Sequence, residues 1–407
     1  MNANRDEFLD QGFVIVRKLI PPDELETLRI AYEILVDRQR EVWRREVAKG
    51  DPPGGVWEIA PQPRLNLCRE PGIHDASTAL AVEFWQGRVQ ELSSHLIAEE
   101  DAPPTEMMLM CNPVRAHGPA KWHRDFSPFL TCPTQAYADD ILETGPRYVQ
   151  WNIALHDDDV LWVIPGSHRR KNTAAENESM IRDIRGPVPG SLQTHLRAGD
   201  GVAYILPILH WGSNYSPRLR RTIHGGFARL THWERTSWMD HLPPGPQKRY
   251  RRWHERSLTY INRAEEALRA AMNSDEAGYR TALDALQPGR GDKGLIKSTI
   301  CLGKTAKHIN NQRWRHRDSL TEAEASQIEM IHPMTLQWGP PLGERFSSDE
   351  AQQIWERFRP VDESVRTEDD NFVPGFQCEA APYVFEDVPE VLTPASWFRS
   401  WTTGSLT

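Results

Sequence analysis

The chain has 407 residues, of which 26% are charged, and its formal net charge is −9. This length predicts two or three domains and a sizeable core, and the acidic balance excludes the basic face that nucleic-acid binding needs. Five scattered cysteines without a Cys-x-x-Cys pair argue against a disulfide framework or a zinc knuckle. The first residues lack the apolar segment of a signal peptide, and no apolar run approaches the ~18 residues of a membrane span. We therefore expect a cytoplasmic protein that binds neither nucleic acid nor a membrane.

The N-terminal region combines one strand with helices. The β-branched run GFVIVRKL at 12–19 predicts a strand, and the apolar spacing after it predicts a helix with Asp23 as its N-cap. The run GDPPGG at 50–55 predicts a loop. A second helix is expected from about 76 to 98.

Between about 105 and 230 the pattern changes to short apolar runs separated by Gly, Pro, Asp or Asn. This rhythm favours a sandwich or barrel over alternating βαβ units. After about 245 the pattern is again helical, with amphipathic segments that begin at Ser or Asp. We expect one domain over 1–240 and a mostly helical extension over 241–407. The apolar runs are EMMLMCNPV, RYVQWNIAL, DVLWVIPG, DGVAYILPILHW and RRTIHGGFARL, and the helical segments are SLTYINRAEEALRAAM and SSDEAQQIWERFR.

The stretch WHRDFSP at 122–128 contains His-Arg-Asp, the tripeptide that opens the catalytic loop of protein kinases. A kinase needs an Asn five residues after the Asp, where it holds a magnesium ion, and here that position is Leu130. No Asp-Phe-Gly follows anywhere in the chain. These departures exclude a kinase.

The same stretch is a His-x-Asp. Residues i and i+2 of a strand project to one side, so His123 and Asp125 can share a metal. His210, which ends an apolar strand, is the strongest candidate for a third ligand. Two histidines and one carboxylate form the facial triad that holds Fe(II) and leaves coordination positions open.

Several further motifs occur in the same order as in one family. They are GFVIVRKLIPPDEL near the N-terminus, Trp-His-x-Asp at 122–125, Pro-Gly-Ser-His at 165–168, and an Asn-x-Ser followed by Arg after His210. Together they resemble the phytanoyl-CoA dioxygenase family of Fe(II)- and 2-oxoglutarate-dependent oxygenases over roughly 7–230. The resemblance implies a mainly β chain with a double-stranded β-helix (jelly-roll, cupin-like) core, flanking N-terminal helices and a helical C-terminal extension.

The resemblance also implies an arginine that binds the far carboxylate of 2-oxoglutarate. Counting from His210 selects Arg221, whereas counting from Asn214 selects Arg220. Both remain open, and Arg220 is preferred. Asn112 stands where many relatives have a lysine, and two serines follow the distal histidine. The further candidates for cosubstrate contacts are Asn112, Ser213 and Ser216.

The resemblance implies Fe(II), 2-oxoglutarate and O₂, with hydroxylation or another oxidation of a small molecule's unactivated C–H bond and release of succinate and CO₂. Trp57, Arg115 and His224 are candidates for substrate contact. A cupin-like binding protein without turnover is one alternative, and an oxygenase acting on a protein side chain is another. The extension, rich in tryptophan, could be a lid, a packing element or a homodimer interface.

Overall fold

The computed structural model describes residues 3–67, 75, 77–128, 131–228, 244–286, 291–314, 342–378 and 380–407. Its strands form antiparallel sheets, as the short apolar runs predict. The strands are β1 Phe13–Val16, β2 Arg64–Asn66, β3 Pro104–Cys111, β4 Gly118–Pro119, β5 Tyr148–Ala154, β6 Trp162–Val163, β7 Leu192–Gln193, β8 Gly201–Tyr204, β9 His210–Trp211, β10 Ser213–Asn214, β11 Arg221–Ala228, β12 Arg366–Phe372 and β13 Ala380–Tyr383.

The larger sheet has six strands in the order β1-β8-β5-β11-β3-β2, and a smaller sheet has the order β7-β6-β9. Two further pairs are β10-β4 and β12-β13. One apolar cluster contains Val202 and Tyr204 of the larger sheet together with Val163 of the smaller one. The two sheets are therefore packed on each other through this cluster.

The two faces of the larger sheet have different chemistry because side chains alternate along a strand. On the outer face, Trp151 and Ile223 belong to the cluster that the N-terminal helices also enter. On the inner face, Gln150 and Asn152 of β5 lie beside His224 of β11. The sheet thus presents polar groups to the side on which the smaller sheet packs.

Helices surround this core and form most of the C-terminal part. Helical residues make up 48% of the part of the chain that the structure describes, so a mainly β chain is not confirmed. The helices are α1 Arg5–Gln11, α2 Pro22–Arg45, α3 Val56–Ile59, α4 Ala79–Phe84 continued by a π-helical turn at Trp85–Val89, α5 Gln90–Ile97, α6 Thr134–Thr144, a 3₁₀ turn at Ser167–Arg169, α7 Ala174–Arg182, α8 Pro244–Met272, α9 Glu276–Leu286, α10 Asp292–Trp314, α11 Ser348–Ser364 and α12 Pro394–Thr403.

The predicted helix starts are partly correct. Ser347 and Glu350 form a capping box at α11, as the pattern there indicates. The expectation that Asp23 caps α2 is wrong, because Pro21 occupies the cap and Asp23 lies in the first turn. There its negative charge still favours the helix N-terminus.

The C-terminal extension packs on the first 240 residues through a common apolar cluster. This cluster contains Phe126 and Leu206 together with Phe376, Phe385 and Trp397. The contact accounts for packing as one role of the extension. The boundary at 240 and a homodimer remain predictions. Within the described residues, none of the helices combines the length and apolar character needed to cross a lipid bilayer.

Candidate metal centre

The two candidate histidines face each other across a short antiparallel bridge. The backbone N–H of His123 donates to the carbonyl of His210 at 2.9 Å, and the reverse bond measures 3.0 Å. Directly opposed residues project to the same side of such a pair. Their ring centroids therefore lie 4.5 Å apart.

Asp125 completes a compact cluster of three ligand atoms. Its Oδ1 lies 3.2 Å from His123 Nε2, and its Oδ2 lies 3.4 Å from His210 Nε2. The three ligand atoms lie within 4.8 Å of one another. The structure thus brings together the three residues that the sequence analysis selected.

Both imidazoles are oriented to present Nε2 to this cluster. His123 Nδ1 lies 2.7 Å from the Lys121 carbonyl, and His210 Nδ1 lies 3.0 Å from the Ile208 carbonyl. A carbonyl only accepts, so each Nδ1 carries the proton and each Nε2 of a neutral ring offers its lone pair. Burial lowers the pKa of His210 to about 4, which keeps that ring neutral.

The carboxylate of Asp125 is held ionised beside these rings. Burial opposes its ionisation, but the neighbouring histidines and the Gln150 amide outweigh burial and hold its pKa well below the usual range. The cluster thus offers two imidazole lone pairs and one anionic oxygen within a small volume. This is the ligand set of the facial triad that binds a divalent metal.

A network of amide and phenol groups supports the carboxylate. Gln150 Nε2 donates to Asp125 Oδ2 and to the Tyr204 hydroxyl, both at 2.9 Å. The same nitrogen lies 3.3 Å from His224 Nε2, while His224 Nδ1 lies 2.7 Å from Asn152 Oδ1. Burial lowers the pKa of His224 to about 3, so it enters this network as a neutral ring.

The two candidate arginines point to opposite faces of the sheet. Arg220 Nε donates to Asp158 at 2.9 Å, and both side chains are buried. Arg221 Nε donates to Glu33 of α2 at 2.6 Å, and its guanidinium lies 5.7 Å from the centre of the Trp57 ring. Arg220 therefore lies on the same side as His224, whereas Arg221 lies with the N-terminal helices. This placement supports Arg220, and its role in cosubstrate binding remains a prediction.

The other candidate residues lie in varied settings. Asn112 Oδ1 accepts from the backbone N–H of Arg220 at 3.0 Å and from Arg221 at 3.3 Å, so it holds the start of β11. Ser213 is buried in β10, and Ser216 is half-buried in the loop after it. Arg115 is exposed. Trp57 stacks on Trp43 and faces Arg40 and Arg221, so the structure does not bring it to the inner face.

The sequence analysis missed several residues around the triad. Gln150 could have been found, because RYVQWNIAL alternates polar and apolar residues and so predicts that Gln150 and Asn152 share a face. Asp158 is the buried partner of Arg220, and the acidic run that contains it gives no local sign of that role. Gln377, which donates to Asp125 Oδ1 at 3.3 Å, comes from the distant extension and carries no local signal.

A model of the phytanoyl-CoA dioxygenase (PhyH) family matches residues 8–221, which is more than half of the chain and includes all three ligands. The chain belongs to the phytanoyl-CoA dioxygenase family. This family consists of iron- and 2-oxoglutarate-dependent oxygenases. Fe, 2-oxoglutarate and O₂ are accordingly the cofactor and cosubstrates of this family member.

Several solved structures are similar to this family member over about half of its length. AviO1 from Streptomyces viridochromogenes Tue57 has 21% identity and a TM-score of 0.39, with 55% of this chain and 92% of AviO1 covered. The non-haem α-ketoglutarate-dependent epimerase SnoN of nogalamycin biosynthesis has 16% identity and a TM-score of 0.37, with 56% and 80% covered. EctD from S. alaskensis, solved with 2-oxoglutarate and 5-hydroxyectoine, has 16% identity and a TM-score of 0.36, with 55% and 74% covered. No curated protein sequence matches the chain.

Proposed function

We propose that this family member hydroxylates, or otherwise oxidises, an unactivated C–H bond of a small molecule and releases succinate and CO₂. The observation that carries the proposal is the convergence of His123 Nε2, His210 Nε2 and the Asp125 carboxylate within 4.8 Å. Fe(II) bound there would couple O₂ reduction to oxidative decarboxylation of 2-oxoglutarate. We place the site in the mouth of a double-stranded β-helix built from the two sheets.

The first task of the protein is to hold the three ligands in fixed orientations. The carbonyls of Lys121 and Ile208 fix the two imidazoles, and Gln150 fixes one oxygen of Asp125. Hydrogen-bonded partners of this kind set the tautomer and the direction of a metal ligand. The triad is therefore ready to bind a metal without rearrangement of its side chains.

The second task is to bind the cosubstrate in one orientation, and we assign this to Arg220. Its Nε is engaged by Asp158, while no described residue accepts from either Nη. The two Nη groups form an edge that can bind a carboxylate through two parallel hydrogen bonds. Asp158 would hold the guanidinium plane while that edge receives the far carboxylate of 2-oxoglutarate.

The third task is to admit the substrate on one side only. The side chain of His123 is 28% exposed, against 15% for Asp125 and 6% for His210. The substrate therefore approaches from the side of His123. Of the three candidate substrate contacts, His224 has the best support because it lies on the inner face beside Gln150.

The test is an anaerobic titration of the purified protein with Fe(II) and 2-oxoglutarate. A weak visible charge-transfer band is expected, because the keto acid chelates iron held by the triad. His123→Ala should abolish the band, and His95→Ala, which changes an exposed histidine of α5, should leave it intact. Without a band from the intact protein, a binding protein that lacks turnover would be favoured. For a protein that gives the band, succinate release stimulated by candidate small molecules would identify the substrate class. Succinate release stimulated only by polypeptides would favour a protein substrate.

A further inference from the structure

The C-terminal extension reaches the metal centre through a short segment, residues 374–377. The backbone N–H of Arg124, which lies between the ligands His123 and Asp125, donates to the carbonyl of Gly375 at 2.9 Å. Arg124 and Phe376 form a parallel bridge. The stretch 123–125, which carries two metal ligands, is therefore paired with a segment that lies beyond the family match at 8–221.

The segment packs closely against Met180 and Leu209, and this packing requires a glycine at position 375. Gly375 has a φ of +84°, a conformation that side chains disfavour. A Cβ added there would lie 3.0 Å from the sulfur of Met180 and 3.1 Å from Leu209, the residue before the ligand His210. The segment thus pairs with the backbone of Arg124 and packs against the side chain of Leu209, which precedes His210.

Asn172 connects the segment to Arg124, the residue between His123 and Asp125. Its Oδ1 accepts from the buried guanidinium of Arg124 at 2.8 Å, and its Nδ2 donates to the carbonyl of Pro374 at 3.0 Å. On the other side of the segment, Phe376 packs edge-on against Phe126, with ring centroids 5.5 Å apart. Polar and apolar contacts therefore fix the segment in one position, and this position sets where Gln377 lies.

Gln377 follows directly and contacts the carboxylate ligand. Its Nε2 donates to Asp125 Oδ1 at 3.3 Å, while Gln150 donates to Oδ2 at 2.9 Å. Each oxygen of Asp125 thus receives one amide hydrogen bond, one from the sheet and one from the extension. Two such bonds fix the rotation of the carboxylate plane.

This rotation matters for a facial triad. A carboxylate that binds iron through both oxygens would occupy one of the three positions that the cosubstrate and O₂ require. We propose that Gln377 is a positioning residue that holds Asp125 in its one-oxygen binding orientation, and that the C-terminal extension thereby completes the metal site. The proposal rests on the proposed iron-dependent function of the triad.

The experiment compares Gln377→Ala and Gln377→Met with the wild-type protein. The Met variant keeps the length of the side chain but removes its N–H groups, so it separates the hydrogen bond from packing. Gln352→Ala is the matched control, because Gln352 also belongs to the extension and, among the described residues, its amide donates only to Glu356 of its own helix. Melting temperatures confirm that all variants are folded.

Fe(II) affinity is measured first, by anaerobic competition with a chromophoric chelator and without 2-oxoglutarate. Both Gln377 variants should bind Fe(II) about tenfold more weakly, at the lower end of the effect of such supporting partners because the hydrogen bond is long and Gln377 is exposed. The 2-oxoglutarate charge-transfer band, measured second, should shift in both variants and not in Gln352→Ala.

Wild-type Fe(II) affinity and an unshifted band in both Gln377 variants would overturn the positioning role. Weaker affinity in Gln377→Ala alone would also overturn it, because the effect would then be one of packing. A wild-type protein that binds Fe(II) but gives no band with 2-oxoglutarate would count against the proposed function, and the comparison of Fe(II) affinities would still decide the role of Gln377.

Discussion

Replacing Arg220 by lysine tests the assignment of the cosubstrate arginine. The side chain of Arg220 is 10% exposed and that of its partner Asp158 is 5% exposed. Alanine would leave Asp158 buried without a counter-charge, which typically costs 3–5 kcal/mol and would confound the measurement. Lysine keeps the positive charge for Asp158 and removes the planar fork. The substitution therefore isolates the bidentate contact.

The magnitude follows from the hydrogen bonds that Arg220 can make. With Nε engaged by Asp158, the Nη edge offers two bonds to a carboxylate, and an ammonium shared with Asp158 replaces at most one of them. A hydrogen bond to a charged group is worth about 1.5–3 kcal/mol, and the buried setting leaves little screening by water. We expect the dissociation constant of 2-oxoglutarate to rise about 10- to 100-fold.

Arg221→Lys is the matched control, since Arg221 is the adjacent residue and lies on the opposite face with Glu33. The assay is the 2-oxoglutarate titration of the anaerobic charge-transfer band at saturating Fe(II). Affinity should fall for Arg220→Lys and stay within about twofold of wild type for Arg221→Lys, because the outer-face ion pair does not face the metal. The reverse order would assign the cosubstrate to Arg221 and refute the argument from strand alternation.

Two further predictions concern stability. Gly375→Ala should lower the free energy of unfolding by about 1–3 kcal/mol, because the added methyl group meets Met180 and the backbone there is left-handed. Chemical denaturation measures this free energy, and an unchanged value would contradict the close packing. Burial opposes ionisation of Asp140, but the positive charges of Lys297 and Arg147 outweigh burial and lower the pKa of Asp140. The ionised carboxylate therefore stabilises the fold above the usual carboxyl pKa of about 4, and this stabilisation is lost as the pH falls below that value. Lys297→Met should therefore flatten the fall in melting temperature between about pH 5 and pH 3, and an unchanged slope would contradict the linkage.

The sequence was sufficient for His123 and Asp125 because the geometry of that pair is local. Alternation with a period of two along an extended stretch places His123 and Asp125 on one side, whereas His210 does not end the predicted apolar strand, because β8 ends at Tyr204 and His210 begins β9. The same period predicts that Gln150 and Asn152 share a face. Strand alternation also separates Arg220 from Arg221, but only once the inner face is known, which depends on how β11 pairs with its neighbours.

The sequence was insufficient for contacts between distant segments. The hydrogen bond from Gln377 to Asp125 spans 252 positions, and that from Lys297 to Asp140 spans 157. Such pairs depend on how whole elements pack, and neither residue type has a preference that would reveal its partner. The setting of Trp57, a candidate for substrate contact, also depends on packing that its local sequence does not reveal, because its ring packs on Trp43 and Arg40.

Arg124 explains why the ligand pair takes the form His-Arg-Asp. It lies between two residues that face the metal, so its side chain projects the other way, where it is fully buried. There its guanidinium donates to the carbonyls of Ser167 and Pro207 and to Asn172, acceptors that carry no net charge. Burial without a paired carboxylate is unfavourable for a cation and lowers the pKa of Arg124 to about 10.

The hydrogen bonds that offset this cost connect separate parts of the site. Ser167 belongs to the Pro-Gly-Ser-His turn, Pro207 precedes the distal ligand His210, and Asn172 fastens the C-terminal segment that carries Gln377. One planar group with five donors can satisfy carbonyls from several directions, which an ammonium cannot do with the same geometry. Arg124 thus joins the stretch that carries His123 and Asp125 to the region before His210 and to the segment that carries Gln377. The three ligands therefore keep one relative position although they come from distant parts of the chain.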